Sequence, residues 1–136
     1  MKQSIYIDTN IALDLLSQRK PFCDSAGLLF TLADKKKVRI CISSLSFSTI
    51  YYILSKQTGK EKAKESLRNF KVFTTVLSVD DKIIDLALNS HFSDFEDAIQ
   101  YYCAVENNIK IIITRNIKDY KKSQISVMTA EEFLNL

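Results

Sequence analysis

Histidine, glycine and proline are scarce in this sequence of 136 residues, which contains one histidine, two glycines and one proline. Because His91 is the only histidine, no histidine-based catalytic triad is indicated, and we expect His91 to lie in a solvent-facing loop. With only Gly27 and Gly59, the chain has no glycine-rich loop that could cradle the phosphates of a nucleotide. We therefore expect no nucleotide cofactor.

Long apolar segments and paired cysteines are also missing. No apolar run approaches the roughly 18 residues of a membrane-spanning helix, and the N-terminus lacks the apolar core of a signal peptide. The three cysteines, Cys23, Cys41 and Cys103, are odd in number and far apart, without a Cys-x-x-Cys pair. We expect buried reduced thiols in a cytoplasmic protein without membrane contact.

The charge of the chain is only mildly basic, at +3, but its lysines are clustered. They gather over residues 35–37, 60–64 and 118–122. Such clusters suit phosphate contacts, and they equally suit the solvated ends of helices and loops. Charge alone therefore leaves nucleic-acid binding open.

Short apolar runs alternate with segments of helical periodicity along the whole chain. We predict strands over residues 4–7, 38–42, 72–79 and 110–114, and an edge strand over 125–128. Helices are predicted over residues 22–37, 44–57 and 60–69, and after Asp8, Asp80, Ser93 and Thr129, with capping boxes at 93–96 and 129–132. Because parallel strands need long crossover connections, we predict one α/β domain, residues 1–136, with a central parallel sheet of four to five strands flanked by helices.

Two acidic residues follow predicted strands. Asp8 ends the first apolar run and is followed by Thr9 and Asn10 in a strand-to-helix turn, where either can cap the helix. Asp119 follows the fourth strand after a loop of four residues. Because open α/β sheets bind ligands outside the carboxyl ends of their strands, both acids belong to one edge if these strands are neighbours.

A further pair of acids belongs to the helix that follows Ser93. Its predicted core-facing stripe comprises Phe95, Ala98, Ile99, Tyr102 and Cys103. Asp94 and Asp97 lie beside this stripe, at the positive end of the helix dipole, where Asp94 also suits a capping role. Both can therefore face the same sheet edge as Asp8.

Convergence of Asp8, Asp97 and Asp119 would require a compensating cation. Magnesium or manganese suits a site with oxygen ligands only. Such an ion orients a water molecule and offsets charge on a phosphodiester oxygen, so the expected reaction is phosphodiester hydrolysis. Because the carboxylates repel one another, we expect Asp8→Asn to leave the fold intact or to stabilise the metal-free protein.

The motifs Asp8-Thr9-Asn10, Asp94-Phe95-Glu96-Asp97-Ala98 and Thr114-Arg115-Asn116, with Asp119-Tyr120, together resemble the PIN-domain family and its VapC-like members. The resemblance covers essentially the whole chain. It implies a magnesium- or manganese-dependent endoribonuclease, commonly a homodimer and often the toxin of a toxin–antitoxin pair inhibited by a small antitoxin protein. It implies metal-binding acids at Asp8, Asp97 and Asp119, an extra acid at Asp94, supporting groups at Thr9, Asn10, Thr114 and Asn116, and RNA contacts at Arg115 and Lys118.

Thr49 departs from the pattern of the family. Many members carry a glutamate in the helix after the second strand, and Thr49 occupies that position here. A hydroxyl can hold a metal-bound water but supplies no charge, so metal affinity should fall unless Asp94 compensates. The alternative function is a catalytically impaired PIN-like domain that binds RNA or protein.

Phosphoryl transfer onto an aspartate is a second enzymatic alternative. A haloacid dehalogenase-like phosphatase would have another acid two residues after Asp8, where this chain has Asn10. A receiver-type domain would carry its phosphorylated acid after the third strand, where a helix opens instead. The residues therefore favour metal-dependent hydrolysis.

Overall fold

A parallel sheet organises residues 2–136, the part of the chain that this computed structural model describes. Its strands within that range are β1 (Gln3–Ile7), β2 (Val38–Ser43), β3 (Thr74–Leu77), β4 (Ile111–Ile113) and β5 (Ser126–Met128). They lie in the order β3-β2-β1-β4-β5, and every neighbouring pair is parallel. The predicted α/β domain with a central parallel sheet is confirmed, and β1 and β4 are neighbours.

Helices connect the strands and cover both faces of the sheet. Those in the described range are α1 (Thr9–Leu16), α2 (Phe22–Asp34), α3 (Ser44–Thr58), α4 (Lys60–Val72), α5 (Asp81–Leu88), α6 (Phe95–Glu106) and α7 (Ala130–Leu134), with a short 3₁₀ helix (Ile117–Tyr120) after β4. The strand order reverses around β1, because the chain adds β2 and β3 on one side and β4 and β5 on the other. Such a switch point is where open α/β sheets form a crevice.

Alternation along the strands sorts their side chains into two cores. Ile5 and Ile7 of β1 pack with α1, α2, α3, α4 and α7 on one face. Tyr6 points to the other face and packs with α5, α6 and the 3₁₀ helix. Successive strand residues point to opposite faces, so the alternation also sets the face of the sheet to which the first side chain after each strand points.

The third predicted strand is longer than the observed one. The apolar alternation predicts a strand over residues 72–79, but β3 is limited to Thr74–Leu77, opposite Ile40 to Ser43 of β2. Helix α4 instead continues to Val72, because Phe70 is buried against the rings of Phe30 and Phe47, at centroid distances of 5.4 and 5.8 Å. Tertiary packing of one aromatic ring therefore extends the helix at the expense of the strand.

The start of α6 differs from the predicted capping box. Asp94, not Ser93, is the N-cap, and its Oδ1 accepts a hydrogen bond from the backbone N–H of Asp97 at 2.9 Å. Asp8 similarly caps α1 in place of Thr9 or Asn10. The capping box at Thr129 and Glu132 is confirmed.

Helix α2 is shorter than predicted and ends at Asp34, after which Lys36 adopts a positive φ of 59° in the lysine-rich turn. Cys41 and Cys103 are buried free thiols, whereas Cys23 is partly exposed. Within residues 2–136, no helix is both long and apolar enough to cross a membrane.

Replacing Phe70 should test whether α4 is part of the core. Phe70→Ala removes a ring that is 3% exposed and should lower the free energy of unfolding by about 3–5 kcal/mol. Val72→Ala, two residues further along at 77% exposure, should change it by less than about 0.5 kcal/mol. Urea unfolding followed by circular dichroism measures both, and equal effects would contradict a core role for Phe70.

Candidate active site at the carboxyl edge of the sheet

Three neighbouring strands end in buried polar side chains that share one direction. Asp8 and Thr114 directly follow β1 and β4, and Ser43 is the last residue of β2. Asp8 is 5% exposed, Ser43 is 1% exposed and Thr114 is fully buried. By strand alternation they point to the same face as Tyr6, which is the face that α6 covers. The edge of the sheet and α6 thus enclose a polar site at the switch point.

The carboxylate of Asp8 accepts four hydrogen bonds. Its Oδ1 receives the backbone N–H of Asn10 at 3.0 Å and Nε2 of Gln100 at 3.3 Å. Its Oδ2 receives the hydroxyls of Thr114 at 3.0 Å and Tyr120 at 2.9 Å. Two oxygens provide about four acceptor positions, so the described protein groups occupy them all.

Gln100 connects this carboxylate to the rest of the site. Its Oε1 accepts from the Tyr6 hydroxyl at 3.2 Å and from the backbone N–H of Thr9 at 3.1 Å. Its Nε2 donates to Asp8 and, at 3.3 Å, to the hydroxyl oxygen of Tyr120. With 1% exposure, Gln100 is fixed in one amide orientation by partners on three sides.

Tyr120 is a neutral hydrogen-bond donor in this network. Burial, and after it the charge of Asp8, raise the pKa of Tyr120 far above its ordinary value of 10.0. The hydroxyl therefore keeps its proton and donates a hydrogen bond to Oδ2 of Asp8. Tyr120 holds the carboxylate of Asp8 in one orientation.

Asp97 is electrostatically coupled to four other acids near the carboxyl edge of the sheet. Burial and the nearby charges of Asp8, Asp94, Asp119 and Glu96 raise the pKa of Asp97 from 3.8 to about 7. Asp94, Glu96 and Asp119 are exposed, and Asp97 is half-buried. The repulsion shows that the acids from β1, α6 and the 3₁₀ helix share one electrostatic environment.

The spacing of these acids limits how an ion could be held. Within the described chain, no three acidic, histidine or cysteine side chains lie close enough to coordinate one metal ion together. Their oxygen donors nevertheless suit magnesium or manganese, and magnesium commonly uses one or two carboxylates and several waters. Asp97 and Asp119, which accept few protein hydrogen bonds, are better placed for this than the saturated Asp8.

The predicted supporting residues contact one another around Thr114. Asn10 donates through Nδ2 to the Thr114 hydroxyl at 3.4 Å, and the backbone N–H of Asn116 donates to the same oxygen at 3.1 Å. Thr9 pairs its hydroxyl with that of Ser46 at 2.7 Å. These contacts tie α1, α3 and the loop after β4 to the site.

Arg115 has a structural partner as well as an exposed part. Its Nε donates to Oδ2 of the buried Asp14 at 2.7 Å, and its guanidinium lies 4.3 Å from the ring centre of Phe22. Burial raises the pKa of Asp14, and the Arg115 hydrogen bond and charge lower it. Lys118 is exposed in the same loop.

Four site residues were not among those predicted from the sequence. They are Gln100, Tyr120, Ser46 and Glu96. The core stripe predicted for α6 places Phe95 inside, but Phe95 is 46% exposed and Gln100 is buried. The signal that could have found Gln100 is its spacing of three residues from Asp97, which places both on one side of the helix.

Comparison with known proteins relates this geometry to a family. A sequence model of the PIN domain matches residues 4–118. The chain is 25% identical to Ribonuclease VapC1 of Aquifex aeolicus (strain VF5) in an alignment of 136 positions that covers 96% of this chain and 93% of that protein.

Solved structures share the fold. VapBC2 from Rickettsia felis bound to promoter DNA has a TM-score of 0.70 at 20% identity, covering 93% of this chain and 97% of that one. A toxin–antitoxin complex from Klebsiella pneumoniae has a TM-score of 0.69 at 21% identity, with the same coverage. VapC20 from Mycobacterium tuberculosis, described as a sarcin–ricin loop cleaving toxin, has a TM-score of 0.63 at 17% identity. The match covers 79% of this chain and 86% of that one.

The sequence match and the shared fold of the solved structures agree with the single α/β domain and parallel sheet described above. This chain belongs to the PIN-domain family. The membership confirms the resemblance of its motifs, and the roles of individual site residues stay predictions.

The hydrogen bonds of Asp8 reverse the expectation for Asp8→Asn. An amide supplies one donor where four donors converge, so the variant should lose about 1–3 kcal/mol of stability despite reduced repulsion. Asp119→Asn, at an exposed position, should change stability by less than about 0.5 kcal/mol. Urea unfolding of the metal-free variants measures the difference, and equal stability would show that the Asp8 network is replaceable.

The raised pKa of Asp97 predicts that metal-free protein loses stability as pH rises. Folded Asp97 keeps its proton up to a pKa of about 7, whereas the unfolded chain releases it near the ordinary 3.8, so unfolding releases a proton between these values. Asp97→Asn should therefore reduce the pH dependence of stability over that range. Urea unfolding in a chelator across this range tests it, and parallel profiles for variant and wild type would contradict the prediction.

Proposed function

We propose that this chain is a metal-dependent endoribonuclease that hydrolyses RNA phosphodiesters, and that it is the toxin of a toxin–antitoxin pair. The observation that carries the proposal is the group of repelling carboxylates around Asp97, beside the hydrogen-bonded Asp8. Similarity to a protein named as a ribonuclease, and to structures of VapBC complexes, supports the same class.

Magnesium or manganese is the cofactor that the donor set fits. When bound, the ion would supply a polarised water and offset charge on the phosphodiester. Asp97 and Asp119 would hold it, with Asp8 contributing from the buried side and Asp94 adding negative charge. Because the pKa of Asp97 is about 7 without metal, a fraction of the protein carries a proton there near neutral pH, and metal binding should release it.

Protein groups around the ion would orient the reactants. Tyr120 and Thr114 hold the carboxylate of Asp8 in one orientation, and Gln100 holds the start of α1 against α6. Lys118, which is exposed beside Asp119, would contact the RNA backbone. Arg115 would contact RNA through the part of its guanidinium that the Asp14 bond leaves free.

The proposed partners are RNA and a small antitoxin protein. VapBC structures from several bacteria contain a toxin with its antitoxin, and this chain covers nearly all of such toxin chains. We propose the same type of inhibitor for this protein and, from the family resemblance, a homodimer. An antitoxin would have to neutralise or cover the acidic edge to inhibit cleavage.

Cleavage of an unstructured RNA should require added metal and Asp97. Wild-type protein is expected to cleave with manganese or magnesium and to stop in a chelator. Asp97→Asn should lower the rate at least about tenfold, while Lys62→Ala on the outer face of α4 should retain it.

Equal cleavage by every variant would indicate a contaminating nuclease and contradict the proposal. Metal binding and RNA binding without cleavage would favour the catalytically impaired binding domain instead. Salt-dependent loss of RNA affinity in Lys118→Ala, compared with Lys62→Ala, would identify the phosphate contact separately from catalysis.

A further inference from the structure

Glu96 occupies a position that leaves its carboxylate free of helix capping. In α7, Glu132 is the third helical residue and bonds back to the backbone N–H of the cap Thr129 at 2.9 Å. In α6 the cap is Asp94, so the third helical residue is Asp97 and Glu96 is the second. Glu96 therefore makes no capping bond and can turn toward the site.

The Glu96 carboxylate faces the start of α1. Partial burial of the carboxylate raises the pKa of Glu96, the nearby Thr9 hydroxyl lowers it, and the charges of Asp8 and Asp94 raise it further. Thr9 is itself paired with Ser46 of α3 at 2.7 Å. Glu96 thus lies within the electrostatic range of Asp8, on the side of the site that α3 forms.

Thr49 and Glu96 line opposite walls of one depression. This depression has a volume of about 300 Å³ between α3 and α6, and Ser43, Ser46, Thr49, Glu96 and Gln100 contribute to it. Ser46 and Thr49 are three residues apart and so share a face of α3. A longer acid at position 49 would reach into the same space that Glu96 reaches from α6.

We infer that Glu96 supplies, from α6, the carboxylate that α3 lacks because Thr49 stands at the position of the family's glutamate. The inference rests on the proposed metal-dependent function and replaces the expectation that Asp94 alone compensates. Oδ1 of Asp94 accepts the capping hydrogen bond of α6, whereas the Glu96 carboxylate takes no part in capping. Glu96 would act on the cation directly or through a water held by Thr49.

Manganese titration of the full-length chain, followed calorimetrically, tests this role without relying on activity. Glu96→Gln should weaken manganese affinity at least about tenfold. Glu61→Gln is the matched control, since Glu61 is also the second residue of a helix and is exposed on α4, and it should change affinity less than about twofold. Asp97→Asn serves as the reference for loss of the site.

A double variant separates charge from structure. Thr49→Glu combined with Glu96→Gln moves the carboxylate to the opposite wall and should restore manganese affinity and RNA cleavage toward wild type. A merely structural role for Glu96 would not be rescued by a charge on α3. A double variant that binds manganese as weakly as Glu96→Gln would overturn the inference that Glu96 takes the place of a carboxylate on α3.

The remaining outcomes distinguish this inference from the proposed function. Wild-type affinity in Glu96→Gln together with lost affinity in Asp97→Asn would overturn the role of Glu96 alone. Wild-type affinity in both variants, or no manganese binding by the wild-type chain, would overturn the metal-dependent function itself. Melting temperatures of the metal-free variants should match or exceed wild type for Glu96→Gln, since one repelling charge is removed.

Discussion

The buried carboxylate of Asp8 is the constraint on which this structure depends. An unpaired buried charge costs several kcal/mol, and hydrogen bonds to a charged group each return about 1.5–3 kcal/mol. The four donors come from α1, α6, the end of β4 and the 3₁₀ helix. Satisfying one side chain therefore requires four separate segments to be in their native places, which couples the site to the fold.

The acids outside this network have the opposite effect on stability. Burial and the charges of Asp8, Asp94, Asp119 and Glu96 all raise the pKa of Asp97, and no basic side chain is among the causes of this shift. Selection for stability alone would replace some of these acids, because their repulsion favours the unfolded chain. Their presence is consistent with a site whose charge is balanced by a bound cation, so that repulsion without the ion becomes attraction with it.

The position of one helix cap decides which acids are available to the site. If Ser93 were the cap, as the capping-box pattern predicts, Glu96 would be the third helical residue and would bond back to the chain. With Asp94 as the cap, the register moves by one residue, Asp97 takes the third position and Glu96 is released. Asp94 is thereby committed in part to structure, although its charge still acts on Asp97.

Local periodicity determined most of the secondary structure, and the motifs made Asp8, Asp97 and Asp119 candidates for the site. Runs such as Ile111 to Ile113 are apolar on both sides because helices cover both faces, so the parallel sheet and its edge could be inferred from sequence. The extent of β3 could not, because it depends on the burial of Phe70 against rings from α2 and α3.

Asp8, Asp97 and Asp119 could be chosen as candidates from where they follow strands or open a helix, because those positions are defined by neighbouring residues in the chain. Gln100, Tyr120 and Glu96 were not, since nothing local separates a buried glutamine that serves a distant carboxylate from an exposed one. The hydrogen bonds of Gln100 reach Asp8 across 92 residues and Tyr120 across 20. Only the tertiary structure, which brings α6 over the ends of β1 and β4, decides which side chains meet there.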